Sequence, residues 1–227
     1  MIRAVLFDLD NTLVDFLRMK TTSVDAAVSA MIDAGLPMKK TNALKILWEL
    51  YDDYGIEYGE ILQQFLRKVL GRVDYKILAA GIIAYRRVKA GFLEPYPHVI
   101  PTLLRLKEKG YLLGVVSDAP RMRAWLRLAA MKISDFFDVV VTLDDSGKQK
   151  PDPTSYSIAL KKLGVKPDEA VFVGDNTNRD IAGAKKLGMT TVLAKYGEWS
   201  KPGKNAKKPD YGITDIARLL DIVEGLK

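Results

Sequence analysis

Residues 4–13 read AVLFDLDNTL, a run of apolar residues that leads directly into two acids, an amide and a hydroxyl. Ala4–Phe7 contains no polar residue, which is typical of a strand that is covered on both faces in a parallel sheet. Asp8 and Asp10 follow two residues apart, so an extended chain would point both carboxylates to one face. The stretch therefore predicts a first buried strand of an α/β sheet with acidic side chains at its carboxyl end.

Four further apolar runs of the same kind lie beyond residue 98, separated by segments that are long enough for crossover helices. The predicted strands are Leu112–Val116, Val139–Thr142, Ala170–Val173 and Thr190–Ala194, and the predicted helices are Val99–Lys109, Arg121–Met131, Thr154–Leu163 and Arg179–Leu187. Gly110, Gly164 and Gly188 stand just beyond three of these helices, where a left-handed cap is favoured. The alternation of strands and helices predicts a doubly wound α/β fold with a parallel sheet.

Residues 16–94 show a different pattern, in which the strand signal disappears and apolar residues repeat at helical spacing. Val24, Val28 and Met31, for example, stand at i, i+4 and i+7. The pattern predicts an all-helical domain of residues 16–94, inserted into an α/β domain that consists of residues 1–15 and 95–227.

The composition of the 227-residue chain excludes several classes of site. The chain has no cysteine, which removes disulfides, thiolate metal sites and cysteine nucleophiles, and its single histidine, His98, removes His-rich metal sites. No apolar run approaches the ~18–20 residues of a membrane span, and the first run ends too early for a signal peptide. We therefore expect a cytoplasmic protein without a membrane partner. The net charge of +7 permits an anionic partner but does not choose between nucleic acid and a small phosphorylated substrate.

Polar residues follow the other predicted strands as well. Ser117 and Asp118 follow the second strand, and Lys150 lies in a loop beyond the third. The fourth strand runs into a polar segment from Gly174 to Asp180. Because ligands collect at the carboxyl ends of the strands in an open α/β sheet, we expect these side chains to converge on one edge.

Together these residue types suit the transfer of a phosphoryl group. Asp8, Asp175 and a backbone carbonyl would offer the oxygen ligands that Mg²⁺ prefers. A carboxylate can attack phosphorus to form an aspartyl-phosphate, and the Lys150 ammonium and the Ser117 hydroxyl could bind the phosphate oxygens. Asp10, when protonated, could donate to the leaving oxygen and later deprotonate a water.

These four groups, in this order and at strand ends, resemble the motifs of the haloacid dehalogenase (HAD) superfamily. The matching residues are Asp8-x-Asp10-x-Thr12 in the first motif, Ser117 in the second, Lys150 in the third, and Gly174-Asp175 through Asp180 in the fourth. The position of the insert is similar to that of the subfamily whose helical cap lies between the first and second motifs. The resemblance implies a Rossmann-like core and a helical cap that closes over a small phosphorylated metabolite.

The resemblance also implies a role for each matching residue. Asp8 would be the nucleophile, and Asp10 would be the general acid and base, with its main-chain carbonyl also binding Mg²⁺. Asp175 would be the third protein ligand of the metal, and Asp180 would support it directly or through water. The side chains that would hold the phosphoryl group are those of Thr12, Ser117 and Lys150. Because members that cleave carbon–halogen bonds or phosphonates lack an acid at the position of Asp10, its presence favours phosphoester hydrolysis.

One position departs from the family pattern. The residue after Ser117 is usually Asn in the second motif, but here it is Asp118, whose carboxylate would repel a bound phosphate unless it is paired or turned away. Arg121 is close enough in sequence to neutralise Asp118, and this pairing is our hypothesis.

Substrate specificity is expected to reside in the cap, whose sequence does not name a substrate. Arg18 is the candidate for substrate contact, because it lies just past the predicted hinge. Outside the cap, the segment from Lys195 to Lys208 follows the fifth strand and holds five lysines and one glutamate. We interpret this local excess of positive charge as a guide for an anionic substrate, and nothing in its distribution asks for nucleic acid.

Three other functions are compatible with parts of this pattern. A sugar-phosphate mutase could use the same scaffold by protecting the aspartyl-phosphate from water. A receiver-like signalling module also uses Asp, Mg²⁺, a hydroxyl residue and a Lys on a parallel sheet, but it needs neither Asp10 as an acid nor so large an insert. A nucleic-acid-binding protein is motivated by charge alone and predicts salt-dependent binding. The pattern leaves both a monomer and a homodimer open.

Overall fold

The computed structural model describes residues 1–203 and 206–226, and within them six parallel strands form one sheet. The strands are β1 (Ala4–Phe7), β2 (Leu112–Val116), β3 (Val139–Val141), β4 (Ala170–Gly174), β5 (Thr190–Ala194) and β6 (Tyr211–Ile213). Their spatial order is β3-β2-β1-β4-β5-β6. β1 pairs with β2 on one side and with β4 on the other, so that Phe7 lies opposite both Val115 and Val173. This order places the carboxyl ends of β1, β2 and β4 side by side.

Helices connect these strands and also form the whole of the insert after β1. The helices of the described residues are α1 (Phe16–Asp33), α2 (Lys40–Tyr54), α3 (Ile61–Leu70), α4 (Tyr75–Phe92), α5 (Val99–Glu108), α6 (Arg121–Ala130), α7 (Leu143–Ser146), α8 (Thr154–Leu163), α9 (Ala182–Lys186) and α10 (Leu219–Gly225). Across residues 1–203 and 206–226, no helix combines the length and the apolar character that crossing a membrane requires.

Two parts of the predicted secondary structure differ from the structure for a physical reason. β6 was not predicted, because two of its three residues are exposed and no apolar run marks it. The predicted helix Arg179–Leu187 begins earlier, as a π-helical turn at Thr177–Ile181 that continues into α9. The Asn176 side chain accepts hydrogen bonds from the backbone N–H groups of Asn178 and Arg179 and so caps this turn.

The chain divides into two compact units, of which one is Met1–Asp15 with the chain from Glu94 onward and the other is Phe16–Leu93. The second unit contains α1 to α4, whose apolar faces form a core of their own. Val28 of α1 and Phe65 of α3 are fully buried in that core. The role of this unit as a cap over a substrate stays a prediction.

The core of the first unit is built on the apolar strands. Leu6 of β1 and Phe172 of β4 are fully buried, and the ring of Tyr156 in α8 packs edge-on against Phe172 with centroids 4.8 Å apart. Burial of such side chains stabilises the fold by about 1.5–3 kcal/mol each. The strands that precede the polar motifs are therefore held firmly by their own packing.

Candidate active site

Backbone hydrogen bonds extend the sheet beyond the ends of β1 and β2 and place the first residues of two motifs. The Asp8 N–H donates to the Val173 carbonyl over 2.8 Å, and the Ser117 N–H donates to the Val141 carbonyl over 2.9 Å. Asp175 directly follows Gly174, the last residue of β4. Asp8, Ser117 and Asp175 therefore lie at the same edge of the sheet.

Lys150 reaches this edge from the loop before α8 and is completely enclosed. Its Nζ atom lies 2.5 Å from Asp8 Oδ1 and 2.7 Å from Asp180 Oδ1, and it donates to the Val116 carbonyl over 3.2 Å. The side chains of Lys150 and Asp180 are both 0% exposed. Burial works to lower the pKa of Lys150, but the carboxylates of Asp180 and Asp8 outweigh it and hold that pKa well above its usual value. Lys150 is therefore a permanently charged ammonium in direct contact with Asp8.

Three buried carboxylates meet around this ammonium. Asp8, Asp175 and Asp180 each offer an oxygen atom, and these atoms lie within 4.8 Å of one another. Both carboxylate oxygens of Asp175 and the Oδ2 atom of Asp8 are buried, and none of the three has a hydrogen-bond donor among the described residues. Buried carboxylate oxygens without donors are costly, and a hard divalent cation is the partner that such a set of oxygens fits.

The same crowding changes the acidity of two of these groups. Burial, assisted by the neighbouring carboxylates of Asp180 and Asp8, raises the pKa of Asp175 to about 9. Burial also raises the pKa of Asp8 to about 7, against the opposing effect of Lys150. A bound cation would favour the ionised form of both groups, so the site is built to take up positive charge.

Asp180 supports the cluster from the turn after β4. Its Oδ2 atom accepts a hydrogen bond from the Asn176 N–H over 3.0 Å, while Oδ1 faces Lys150. A Cβ added at Gly174 would lie 2.5 Å from the Cβ of Asp180, so the approach of Asp180 requires a glycine at the end of β4.

Asp10 has a partner that the sequence analysis did not anticipate. Its Oδ2 atom lies 3.0 Å from Nη1 of Arg127, and the Arg127 side chain is only 2% exposed. Arg127 belongs to no motif, but on α6 it stands between the buried residues Ala124 and Leu128 at helical spacing. The position of a basic residue on a buried helix face indicates that Arg127 is enclosed, but it does not identify Asp10 as the partner.

Thr12 and Ser117 are both buried beside the strand ends. The Thr12 hydroxyl has no hydrogen-bond partner within the described residues, and the Ser117 hydroxyl accepts a hydrogen bond from the Ala119 N–H over 3.1 Å. Asn11, between the first motif's acids and Thr12, adopts the left-handed conformation with φ of 59°. Both hydroxyl groups retain the capacity to donate to a phosphate oxygen.

The hypothesis that Arg121 neutralises Asp118 is wrong. Arg121 lies at the start of α6, where its side chain pairs with Asp145 at 2.9 Å and its N–H donates to Asp144, both in the acidic first turn of α7. Asp118 instead accepts a hydrogen bond from the Lys150 backbone N–H over 2.9 Å, and its other oxygen lies 3.6 Å from Nη1 of Arg179. Asp118 thus helps to hold the loop that carries Lys150.

Residues 196–203, which follow β5 in the basic segment, contact two of the motifs in a way that the sequence does not indicate. The Tyr196 hydroxyl donates to the Thr12 carbonyl over 2.9 Å. The Asn176 side chain donates to the Ser200 hydroxyl over 3.0 Å, and the Asn178 side chain accepts from the Gly203 N–H over 2.7 Å. Hydrogen bonds thus connect this segment to both the first motif and the fourth motif.

Two other candidates belong to different parts of the chain. Arg18 is in α1 of the second unit, with its guanidinium 5.4 Å from the centre of the Phe92 ring, and its contact with substrate stays a prediction. In the basic segment after β5, Lys201, Lys207 and Lys208 are exposed, whereas Lys204 lies outside the described residues.

Comparison with known proteins gives concordant results. The sequence profile of haloacid dehalogenase-like hydrolases matches residues 2–188. A protein of Methanocaldococcus jannaschii named glyceraldehyde 3-phosphate phosphatase is 40% identical over 227 residues, which cover 100% of this chain and 99% of that protein. A phosphoglycolate phosphatase of Aquifex aeolicus is 32% identical and covers 96% of this chain and 97% of its own. The crystal structure of a HAD phosphatase from Thermococcus onnurineus superposes with a TM-score of 0.71 at 29% identity and covers 99% of both chains.

Proposed function

The chain belongs to the haloacid dehalogenase-like hydrolase family, and from this membership and the geometry of the site we propose a Mg²⁺-dependent phosphatase that hydrolyses a small phosphomonoester through phosphorylated Asp8. The observation that carries the proposal is the buried ammonium of Lys150 beside Asp8, within a set of carboxylate oxygens that lack donors. The ammonium would bind a phosphate dianion, and the carboxylate oxygens would bind a divalent cation beside it.

The metal would be held by residues that directly follow β1 and β4. Asp8 and Asp175 offer carboxylate oxygens, and the main-chain carbonyl of Asp10 would supply a third ligand from the protein. Asp180 would support them from beside Asp175. Bound Mg²⁺ would reduce the repulsion between the Asp8 carboxylate and the phosphate that it attacks.

The first chemical step transfers the phosphoryl group to Asp8. Lys150, Ser117 and Thr12 bind and orient the phosphate oxygens, so that a carboxylate oxygen of Asp8 forms a bond to phosphorus as the ester P–O bond breaks. Asp10 donates its proton to the leaving alcohol oxygen. The products are a free alcohol and phosphorylated Asp8.

The second step returns the enzyme to its starting state. Asp10, now a carboxylate, takes a proton from a water molecule as the water oxygen attacks phosphorus. The bond between phosphorus and Asp8 breaks, which releases inorganic phosphate and leaves Asp10 protonated for the next cycle.

The names of the relatives guide the choice of substrate. They include phosphatases for glyceraldehyde 3-phosphate and for phosphoglycolate, both short phosphomonoesters. We therefore expect a short-chain phosphomonoester as the substrate of this chain, and these two compounds are the first to test.

Replacement of the nucleophile tests the mechanism. Asp8→Asn should lower Mg²⁺-dependent hydrolysis of p-nitrophenyl phosphate and of glyceraldehyde 3-phosphate by at least ~10³-fold, because an amide cannot form the acyl phosphate. Asp53→Asn, at an exposed position of α2, is the matched control and should retain full turnover. EDTA should abolish activity, and added Mg²⁺ should restore it.

Near-normal turnover by Asp8→Asn would disprove phosphorylation of Asp8. With a hexose 1-phosphate as substrate, isomerisation without release of inorganic phosphate would instead support the mutase. A long-lived phosphorylated protein without turnover would support the receiver-like module.

A further inference from the structure

The burial pattern of α6 departs from what hydrophobicity predicts at four of its positions. Met122, Trp125 and Leu126 are 70%, 42% and 50% exposed, whereas Arg127 on the same helix is 2% exposed. Arginine is among the residues least often buried, because its charge loses hydration, and large apolar residues are normally the ones enclosed. The fold therefore keeps a guanidinium inside at a cost that packing alone does not explain.

The buried guanidinium is directed at one acid of the first motif. Nη1 of Arg127 lies 3.0 Å from Oδ2 of Asp10, and the two residues are 117 positions apart in the sequence. The side chain of Asp10 is 21% exposed, so this carboxylate contacts the enclosed guanidinium and remains partly accessible to solvent. A guanidinium hydrogen bond to Oδ2 fixes the direction of the carboxyl group whether or not its other oxygen carries a proton.

We propose that Arg127 is a positioning residue: it holds the side chain of Asp10 in the orientation that proton transfer requires. The proposal rests on the proposed function, in which Asp10 serves first the leaving oxygen and then a water. Asp10 needs such support because it lies beyond the end of β1, and Asn11 turns the chain immediately after it with φ of 59°. Small errors in the placement of a reacting group are known to cost large factors in rate.

This role predicts a dependence on the leaving group. An alkyl phosphate such as phosphoglycolate has a poor leaving group and needs a well-placed acid, whereas p-nitrophenyl phosphate needs little protonation. Arg127→Gln should therefore lower kcat/KM for the alkyl phosphate by about 10²-fold, within the range for general acid catalysis, and for the aryl phosphate by less than about 5-fold. Arg127→Lys, which keeps a cation, should restore part of the rate for the alkyl phosphate. KM should change little in both variants, because Asp10 does not hold the phosphate.

A double-substitution cycle separates positioning from a general structural effect. In the Asp10→Asn background, Arg127→Gln should lower kcat/KM for the alkyl phosphate by less than about 3-fold, because its effect passes through Asp10. Arg105→Gln, at an exposed position of α5, is the control for loss of one arginine and should leave both substrates unaffected. Thermal melting of every variant shows whether it folds. If Arg127→Gln does not fold, Arg127→Lys is used in its place, and the ratio of its kcat/KM values for the alkyl and aryl phosphates tests the proposal.

Equal losses on the alkyl and aryl phosphates would overturn the role of Arg127, and so would an undiminished loss in the Asp10→Asn background. If Asp10→Asn alone retained normal hydrolysis of the alkyl phosphate, the proposed function of Asp10 would be the part that fails.

Discussion

At the scale of single residues, the site is a balance between enclosed charges of opposite sign. Lys150 contacts Asp8 and Asp180, while in the part of the chain that the structure describes no donor reaches either carboxylate oxygen of Asp175. The Lys150 ammonium and the nearby Arg179 guanidinium bring two positive charges to three carboxylates, so ionisation of all three carboxylates favours a bound cation. Residues that surround the cluster should therefore affect metal binding and protein stability together.

The pH dependence of stability should reveal the enclosed Asp175. Its pKa is raised to about 9 from the ordinary 3.8, so the folded protein binds this proton more tightly than the unfolded chain does. The contribution of Asp175 to stability in EDTA is then greatest below about pH 4 and falls as pH rises toward 9, by up to about 1.4 kcal/mol per pH unit. Asp175→Asn removes this titration and should melt at a higher temperature than the wild type between pH 7 and 9.

Below pH 7, Asp8 also contributes to the pH dependence of stability, because its pKa is raised to about 7. The interval from pH 7 to 9 therefore reports mainly on Asp175. Added Mg²⁺ should raise the melting temperature of the wild type and have little effect on Asp175→Asn. If Asp175→Asn lost stability as steeply as the wild type when the pH rises from 7 to 9, the assignment of this titration to Asp175 would be contradicted.

Substitutions at Asp118 should distinguish its hydrogen bond from its charge. Asp118→Asn keeps an oxygen that can accept from the Lys150 N–H, so we expect Mg²⁺-dependent turnover within about 3-fold of the wild type. Asp118→Ala leaves that buried N–H without an acceptor, at a cost of about 1–3 kcal/mol, and should reduce both thermal stability and turnover. A loss with Asn as large as that with Ala would show that the carboxylate charge itself is required.

At the scale of elements, the segment after β5 packs directly against the first motif. Tyr196 holds the carbonyl of Thr12, and the backbone at Gly197 lies so close to Asn11 that an added Cβ would overlap the Asn11 carbonyl oxygen. The restriction at Gly197 is one of space, since its φ does not lie in the left-handed region. The conformation of the first motif therefore depends on an element that is almost 190 residues away in the sequence.

Gly197→Ala tests this dependence. The first motif or the segment after β5 must shift to admit the methyl group, which should lower the free energy of unfolding by about 1–3 kcal/mol and kcat/KM by about 10-fold or more. Gly91→Ala is the matched control, because no atom lies within 4 Å of a Cβ at that position of α4. It should leave activity unchanged and stabilise the helix slightly. Equal activity of the two variants, measured with the same substrate, would show that the close contact is not needed.

At the scale of the whole molecule, the net charge of +7 includes a local excess after β5. Asn178 of the fourth motif donates to the Lys201 carbonyl over 3.3 Å, so the beginning of the basic segment is attached to the candidate site. Exposed charges in such a position raise the local concentration of an anionic substrate and act over about 10 Å at 0.1 M salt. We therefore expect this charge to affect the rate of substrate capture in a way that depends on its location.

Neutralisation of Lys201, Lys207 and Lys208 with glutamine should lower kcat/KM by about 3–10-fold at low ionic strength and leave kcat unchanged. The difference should disappear at ~0.3 M salt, where screening shortens the range of the charges. The control is the same change of net charge at the exposed Lys161, Lys162 and Lys166, which lie near the amino end of β4. If both triple variants behave alike at low salt, the segment after β5 does not guide substrate.

Local patterns in the chain were sufficient for most of the sheet. β1, β2 and β5 have the bounds that their apolar runs predict, and β3 and β4 differ by one residue at their ends. β6 could not be found in this way, because its pairing with β5 depends on backbone hydrogen bonds rather than on an apolar run. The order of the motifs along the chain likewise pointed to one edge of the sheet, since parallel strands end on the same side.

The class of fold and the residues that gather at one edge of the sheet were thus readable from the sequence, because strand burial, helix periodicity and the spacing of Asp8 and Asp10 are properties of short segments. The partners of those residues were not. Arg121 is three positions from Asp118 yet pairs with Asp145, while Arg127 reaches Asp10 across 117 positions. These contacts depend on how helices and loops pack against the sheet, and no local pattern carries that information, because the free energy that selects each pair arises only when distant segments are enclosed together.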